Sequence, residues 1–85
     1  MITAAQIRAA RLLLSWSQSE LSRQSGVSEA TIQRFEKGRL KLRGATQTAI
    51  VSVLLNNGVE FVDSVGVHLR ADRRIELLNH QIEPR

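Results

Sequence analysis

Apolar residues recur every three or four positions over the first two-thirds of the chain, and this spacing predicts amphipathic helices. Serine and threonine residues stand where helices would begin, because their side chains accept hydrogen bonds from the free amides of a first turn. Glycines stand where helices would end, because glycine adopts the left-handed conformation at little cost. The predicted helices run from residue 4 to about 14, from 18 to the glycine at 26, from the cap at 28 to 37, and from 44 or 46 to 57.

The starts and faces of these helices follow from particular residues. Capping boxes, in which cap and third helical residue exchange hydrogen bonds, are predicted at Thr3 with Gln6 and at Ser17 with Glu20. The first helix directs Ile7, Ala10 and Leu14 inward, with Leu13 widening the apolar side. The third helix is anchored by Ile32 and Phe35, so its outer face has almost no apolar character and consists of Glu29, Ala30, Gln33 and Arg34.

After residue 58 apolar residues recur at every second position instead of every third or fourth, which predicts a β-hairpin. The segment "DSVG" between the two runs is a plausible tight connection. Two strands by themselves are barely stable in water, so the hairpin must pack on the helices or pair with a second molecule. The alternating residues are Val59, Phe61, Val67 and Leu69, and beyond them Asp72 as a cap with Ile75, Leu78 and Ile82 predicts a short helical tail.

Length and composition limit the classes of protein to consider. A chain of 85 residues makes one domain with one core. Without cysteine there is neither a disulfide framework nor a thiolate metal site, and no apolar run approaches the ~20 residues of a membrane span. His68 and His80 have no acid or second histidine at ligand spacing. We therefore expect a cytoplasmic protein that is not an enzyme, with no catalytic residues, metal, cofactor or membrane partner.

Positive charge is concentrated in the N-terminal part of the chain. Residues 1–57 hold eight Arg or Lys against three Glu, whereas residues 58–85 hold four Arg against five acids. Five of the cations fall within ten residues, as expected of a surface that faces a polyanion, although a solvated loop would look the same. They are Arg34, Lys37, Arg39, Lys41 and Arg43.

Two capped helices joined by a short turn with a glycine are the sequence form of a helix-turn-helix. The segments "WSQSELS", "SGVSEATI" and "FEKGR" together resemble the Cro and phage-repressor-like helix-turn-helix domain of the XRE family, over about residues 5–57. The resemblance implies a mainly α fold, with a four-helix Cro/lambda-repressor-like DNA-binding domain at residues 1–57. The hairpin and short helical tail at 58–85 would then serve dimerisation. The loop at 39–43 lacks the proline that many relatives place there.

The resemblance also implies roles for individual residues. Arg34 suits a bidentate contact to guanine, Gln33 suits adenine, and Ala30 can approach a thymine methyl. Glu29 can accept a hydrogen bond from the amino group of cytosine or hold Arg34 in position. Alternatively, it stands in the first turn only because the positive end of the helix dipole favours an acid there. The implied base contacts are Ser28, Glu29, Ala30, Gln33 and Arg34; the phosphate contacts are Gln18, Thr31, Lys37, Arg39, Lys41 and Arg43; a structural ion pair joins Arg11 to Glu36.

These features predict a transcriptional regulator that binds double-stranded DNA in a sequence-specific manner. A repressor is favoured over an activator. One such domain buries little surface, so we expect a homodimer on a pseudo-palindromic operator, joined through the strand residues Val59, Phe61, Val67 and Leu69. The alternative is an antitoxin or anti-activator that acts by binding a partner protein. Nonspecific coating of nucleic acid is a third possibility.

Overall fold

The computed structural model describes residues 2–63 and 65–74, which form four helices, a two-stranded antiparallel hairpin and a helical turn at 71–74. This confirms the predicted mainly α class with a C-terminal hairpin. Asp72 lies inside the helical turn instead of capping it, and the predicted tail helix with Ile75, Leu78 and Ile82 lies outside the described residues. The elements are α1 (Ala4–Leu13), α2 (Gln18–Ser25), α3 (Glu29–Glu36), α4 (Gly44–Asn56), β1 (Val59–Val62) and β2 (Gly66–Leu69).

Side-chain caps start the first three helices. At α1 the Thr3 hydroxyl accepts the Gln6 amide at 3.2 Å and the Gln6 side-chain oxygen accepts the Thr3 amide at 2.9 Å, as a capping box requires. At α2 the Ser17 hydroxyl accepts the Glu20 amide at 3.0 Å. The Glu20 carboxylate turns instead to Arg23 and Gln24, so the second predicted capping box forms only one of its two bonds.

The turn between α2 and α3 depends on Gly26. Its φ of 76° and ψ of 5° lie in the left-handed region, where a side chain would be strained, and its amide donates to the Ser22 carbonyl at 2.9 Å. Ser28 follows and caps α3 by accepting the Thr31 amide at 3.2 Å. The short turn therefore fixes the angle at which α3 leaves α2.

One hydrophobic core joins the helices to the hairpin. Leu13 is predicted to widen the inward side of α1, but it is 38% exposed and does not pack against the core, so this prediction is wrong. Trp16, Val51 and Val53 are half-buried and pack against the core. Among the described residues the buried apolar side chains are Ile7, Ala10, Leu14, Leu21, Ile32, Phe35, Ile50, Leu54, Val59 and Leu69.

The hairpin packs on the helices through its apolar face. β2 lies against α1 and β1 against α4. The polar pair of Glu60 and His68 is on the other face, with 3.2 Å between its carboxylate and imidazole. Gly66 is already the first residue of β2, and Asp63 takes the left-handed conformation with φ of 52°. The register pairs Val59 with Leu69, Glu60 with His68, Phe61 with Val67, and Val62 with Gly66.

A buried amide attaches the hairpin turn to α1. Gln6 is 1% exposed, and its side-chain nitrogen donates to the carbonyls of Asp63 and Gly66, at 2.9 Å each. Its oxygen serves in the α1 capping box. One side chain therefore fixes both the start of α1 and the turn of the hairpin, which holds the hairpin on the helices.

Candidate nucleic-acid interface

The helix α3 presents a polar face to solvent. Ile32 and Phe35 are buried beneath it, which fixes the rotation of the helix about its axis. The exposed side of α3 and its cap carries the residues for which base contacts were predicted: Ser28, Glu29, Ala30, Gln33 and Arg34. A surface of donors and acceptors that is free of large apolar groups can read base edges.

Two hydroxyls at the start of α3 are bonded to each other. The Ser28 hydroxyl donates to the Thr31 hydroxyl at 2.9 Å while it accepts the Thr31 amide. Ser28 is exposed and Thr31 is half-buried. The cap therefore uses the one donor and one of the two acceptor positions of the Ser28 hydroxyl, and the remaining acceptor position is available to an amino group of a base.

Glu29 connects α3 to α2. One of its carboxylate oxygens accepts from the Ser19 hydroxyl at 2.8 Å, and the other lies 3.5 Å from the Gln33 side-chain nitrogen. It makes no such bond to Arg34, so the structure does not support the suggestion that Glu29 holds that arginine. Glu29 instead links the two helices of the motif across their exposed surface.

The cations that flank α3 are exposed and have no carboxylate partner among the described residues. Two of the three carboxylates nearby pair with other cations, Glu36 with Arg11 and Glu20 with Arg23, whereas Glu29 bonds to the neutral side chains of Ser19 and Gln33. Hydrogen bonds from Gln24 and then Arg23 hold the pKa of Glu20 below its ordinary value, so Glu20 stays ionised with its partner. None of these cations is therefore paired with a described carboxylate. They form a positive stripe that consists of Arg34, Lys37, Arg39, Lys41 and Arg43.

The loop between α3 and α4 folds some of these cations around a shallow hollow of about 450 Å³, which we call the cationic depression. Arg43 is the N-cap residue of α4 but makes no side-chain cap, so amides of the first turn remain open to an anion. The depression unites four predicted phosphate contacts, whereas Lys37 is not among its lining residues. Its polar lining is Thr31, Arg39, Lys41, Arg43 and Thr46.

A buried ion pair lies behind the motif. The Arg11 guanidinium donates twice to Glu36, at 2.8 and 2.9 Å, and also to the Trp16 carbonyl at 2.9 Å. The Gln18 side-chain nitrogen donates to the same carboxylate at 3.1 Å. Gln18 was predicted to contact phosphate, and the second proton on its nitrogen remains for that purpose. This network ties the start of α2 to the end of α3.

The four strand residues assigned to dimerisation face this chain's own helices. Val59 and Leu69 are buried in the core, and Phe61 and Val67 are half-buried against it. Their side chains are therefore mostly covered by the monomer. The backbone edges of the hairpin carry no further strand within the described residues.

Sequence reasoning missed two of these contacts, Gln6 with the hairpin turn and Ser19 with Glu29. Both join polar side chains of residues that are distant in the sequence, so no local spacing marks them. For Gln6 there was a partial signal, because its position on α1 lies beside the inward residues Ile7 and Ala10. The capping box predicted for Gln6 with Thr3 does form.

Other kinds of site are not found in the described part of the chain. No three His, Asp or Glu side chains come close enough together there to hold a metal ion. None of the helices described is both long and apolar enough to cross a membrane.

The capped helix pair, the glycine turn and the exposed polar face of α3 define a helix-turn-helix protein. Residues 7–54 match the family model described as Helix-turn-helix, HTH_3. Because the match covers more than half of the chain, the protein belongs to this family of DNA-binding transcriptional regulators, and the XRE-type resemblance is confirmed. No curated protein sequence matches the chain.

Proposed function

We propose that this protein is a cytoplasmic repressor that binds a pseudo-palindromic operator as a homodimer, with α3 in the major groove. The observation that carries the proposal is the exposed polar face of α3, flanked by a stripe of cations with no carboxylate partner. An α-helix fits the major groove, which is about 12 Å wide. Free cations beside it suit the phosphates that border that groove.

Base contacts in this arrangement come from the centre of the exposed face. The Arg34 carbonyl accepts from the Arg39 amide at 2.9 Å, but its guanidinium makes no hydrogen bond to a described residue and suits a bidentate contact to guanine. Gln33 interacts with Glu29 only at the limit of hydrogen-bond distance, so its amide can turn to adenine. Ala30 lets α3 approach the base edges closely. Ser28 and Glu29 lie at the N-terminal end of α3, which enters the major groove first.

Phosphate contacts come from both sides of α3. On one side Gln18 stands at the start of α2, where free amides and the helix dipole favour an anion. On the other side the cationic depression offers Arg39, Lys41 and Arg43 with the Thr31 hydroxyl. Lys37 completes the set at the end of α3.

Dimerisation through the hairpin would use its backbone more than its side chains. The Arg70 amide donates to the Gly58 carbonyl at 2.8 Å, and hydrogen-bonded pairs alternate along an antiparallel ladder. The backbone groups of Phe61 and Val67 therefore point outward from the two edges. An exposed edge of this kind can pair with the same edge of a second copy. In this proposal residues 1–57 bind DNA and residues 58–85 join the two copies.

The first test compares two variants on a footprinted operator and on unrelated DNA. Arg34→Ala should lose discrimination at particular base pairs, by about 1–3 kcal/mol. Lys41→Ala should weaken binding to all sequences about equally. It should also make the slope of the logarithm of the binding constant against the logarithm of salt concentration shallower by about 0.9. Arg74→Ala removes an exposed cation from the helical turn after the hairpin and should change neither quantity.

Two results would contradict the proposal. If Arg34→Ala and Lys41→Ala changed specificity and salt dependence alike, the division into base and phosphate contacts would be wrong. If the purified protein bound neither DNA upstream of its own gene nor unrelated DNA at near-physiological salt, the proposed DNA binding by this surface would be contradicted.

A second candidate, binding of a partner protein as an antitoxin or anti-activator, is favoured by exposed apolar side chains away from α3. Leu12, Leu55 and Val65 are exposed, and large apolar groups on a surface often mark protein contacts. A stable complex with a neighbouring gene product, together with no footprint, would support this candidate over the first.

A further inference from the structure

The basic loop also borders a second hollow, which we call the apolar groove. Its volume is about 580 Å³, within the roughly 300–1,000 Å³ typical of small-molecule sites. The start of α1, the end of α3, the loop and the first turns of α4 form its walls. Its apolar lining is Ile2, Ile7, Phe35, Leu40, Leu42 and Val51.

The charged residues of the apolar groove all have the same sign. Lys41 and Arg43 line it, and no described carboxylate does. Gln47 also lines it and is half-buried. Its side chain makes no hydrogen bond to a described residue, so the side-chain amide can donate to an oxygen. An apolar lining with cations and a free amide complements a molecule that has an apolar body and one negative end.

We propose that the apolar groove binds a small amphipathic carboxylate, such as a medium-chain fatty acid. Its chain lies against Ile2, Leu40 and Val51, whose accessible apolar surface it removes from water. Its carboxylate accepts charge-assisted hydrogen bonds from Lys41 and Arg43.

Such a ligand would also regulate the DNA site, a step that rests on the proposed function. Lys41 and Arg43 line both the apolar groove and the cationic depression. A carboxylate that holds these side chains withdraws them from phosphate and neutralises part of the positive stripe. The ligand therefore lowers the affinity for DNA, and by linkage DNA lowers the affinity for the ligand by the same factor.

The direct test titrates the full chain, without DNA, with decanoate, decanol and acetate, and follows backbone amide signals by NMR. Decanoate should bind one per chain and shift signals of the groove residues. Decanol has the same body without the charge and should bind roughly tenfold more weakly or worse. Acetate has the charge without the body and should produce no saturable shift.

Matched variants locate the site. Val51→Phe fills the groove and should abolish decanoate binding, whereas Leu55→Phe adds the same ring to an exposed position of α4 and should not. Lys41→Gln should weaken decanoate roughly tenfold and leave decanol unchanged, while Arg74→Gln should affect neither. Circular dichroism checks that each variant is folded, and the ligand series on the unchanged protein does not depend on any variant.

Equal affinities for decanoate and decanol, or shifts confined to the surface around Leu12 and Leu55, would overturn the proposal. So would decanoate binding that survives in a folded Val51→Phe variant. The two proposals can fail separately. If the protein binds decanoate but no DNA, the proposed operator function is wrong and the proposed ligand site stands. If the protein binds its operator but does not bind decanoate, the proposed ligand site is wrong and the operator function stands.

Discussion

At the scale of single residues, Glu36 holds the motif together. Its side chain is 4% exposed and that of Arg11 is 10% exposed, and the carboxylate also accepts from Gln18. A charge in this position is tolerated because every partner is present. The network therefore determines how the start of α2 meets the end of α3, and with it the position of the exposed face of α3.

Removing one member of this pair should be more harmful than removing both. Arg11→Met leaves the Glu36 carboxylate buried without its counter-ion and should lower the free energy of unfolding by about 3–5 kcal/mol. The double variant Arg11→Met with Glu36→Leu should recover most of this loss, because no charge is then buried without a counter-ion and only the Trp16 carbonyl and the Gln18 amide lose a partner. Urea unfolding followed by tryptophan fluorescence measures both.

The exposed pair of Arg23 and Glu20 is the control for this comparison. Arg23→Ala should leave the free energy of unfolding almost unchanged, since solvent screens an ion pair at the surface. A cost for Arg11→Met no larger than that of Arg23→Ala would show that the Glu36 carboxylate is better solvated than its burial indicates.

At the scale of elements, the helices could be predicted because their boundaries depend on neighbouring residues. Thr3, Ser17 and Ser28 act as caps within three positions, and Gly26 closes α2 with its own backbone. The strands followed from simple alternation, and so did the apolar face that packs on the helices. The contacts of the hairpin turn did not follow, because Gln6 reaches carbonyls 57 and 60 residues further along the chain.

The same contrast holds for the candidate site. The exposed face of α3 follows from the spacing of Ile32 and Phe35, which is local. The link from Ser19 to Glu29 depends on the angle between two helices, and the depression around Thr31 depends on how the loop folds back. Neither angle nor loop path is encoded in a repeat of apolar residues.

The attachment of the hairpin by Gln6 can be tested at this scale. Gln6→Met keeps a similar length but removes the donors to Asp63 and Gly66, leaving those carbonyls and the Thr3 amide without this partner. The free energy of unfolding should fall by about 1–3 kcal/mol. Hydrogen exchange should show that the amides of β2 lose more protection than those of Ile50 and Leu54 in α4.

Gln24→Met on the exposed side of α2 provides the matched control, because it removes a side-chain amide that bonds only to the carboxylate of half-buried Glu20. It should leave the exchange of the β2 amides unchanged. Uniform loss of protection across the chain in Gln6→Met would mean that the hairpin does not open separately from the helices.

At the scale of the whole molecule, the hairpin belongs to the same core as the helices that would bind DNA. Val59 and Leu69 pack with Ile7 and Leu54, so a dimer joined through the hairpin edges would hold the two α3 helices at a fixed separation. A rigid two-fold dimer requires half-sites centred about 34 Å apart, or 10–10.5 base pairs.

Operator spacing therefore tests the proposed dimer. Inserting about five base pairs between the half-sites rotates one of them to the opposite face of the duplex. A rigid dimer then engages only one half-site, and the apparent affinity should fall roughly 100-fold or more, since the advantage of joint binding is lost. Fluorescence anisotropy on operators of graded spacing measures this loss, with a single half-site as the reference. If affinity were independent of spacing and equal to that of the single half-site, each chain would bind by itself, and the hairpin would have no part in joining two copies on DNA.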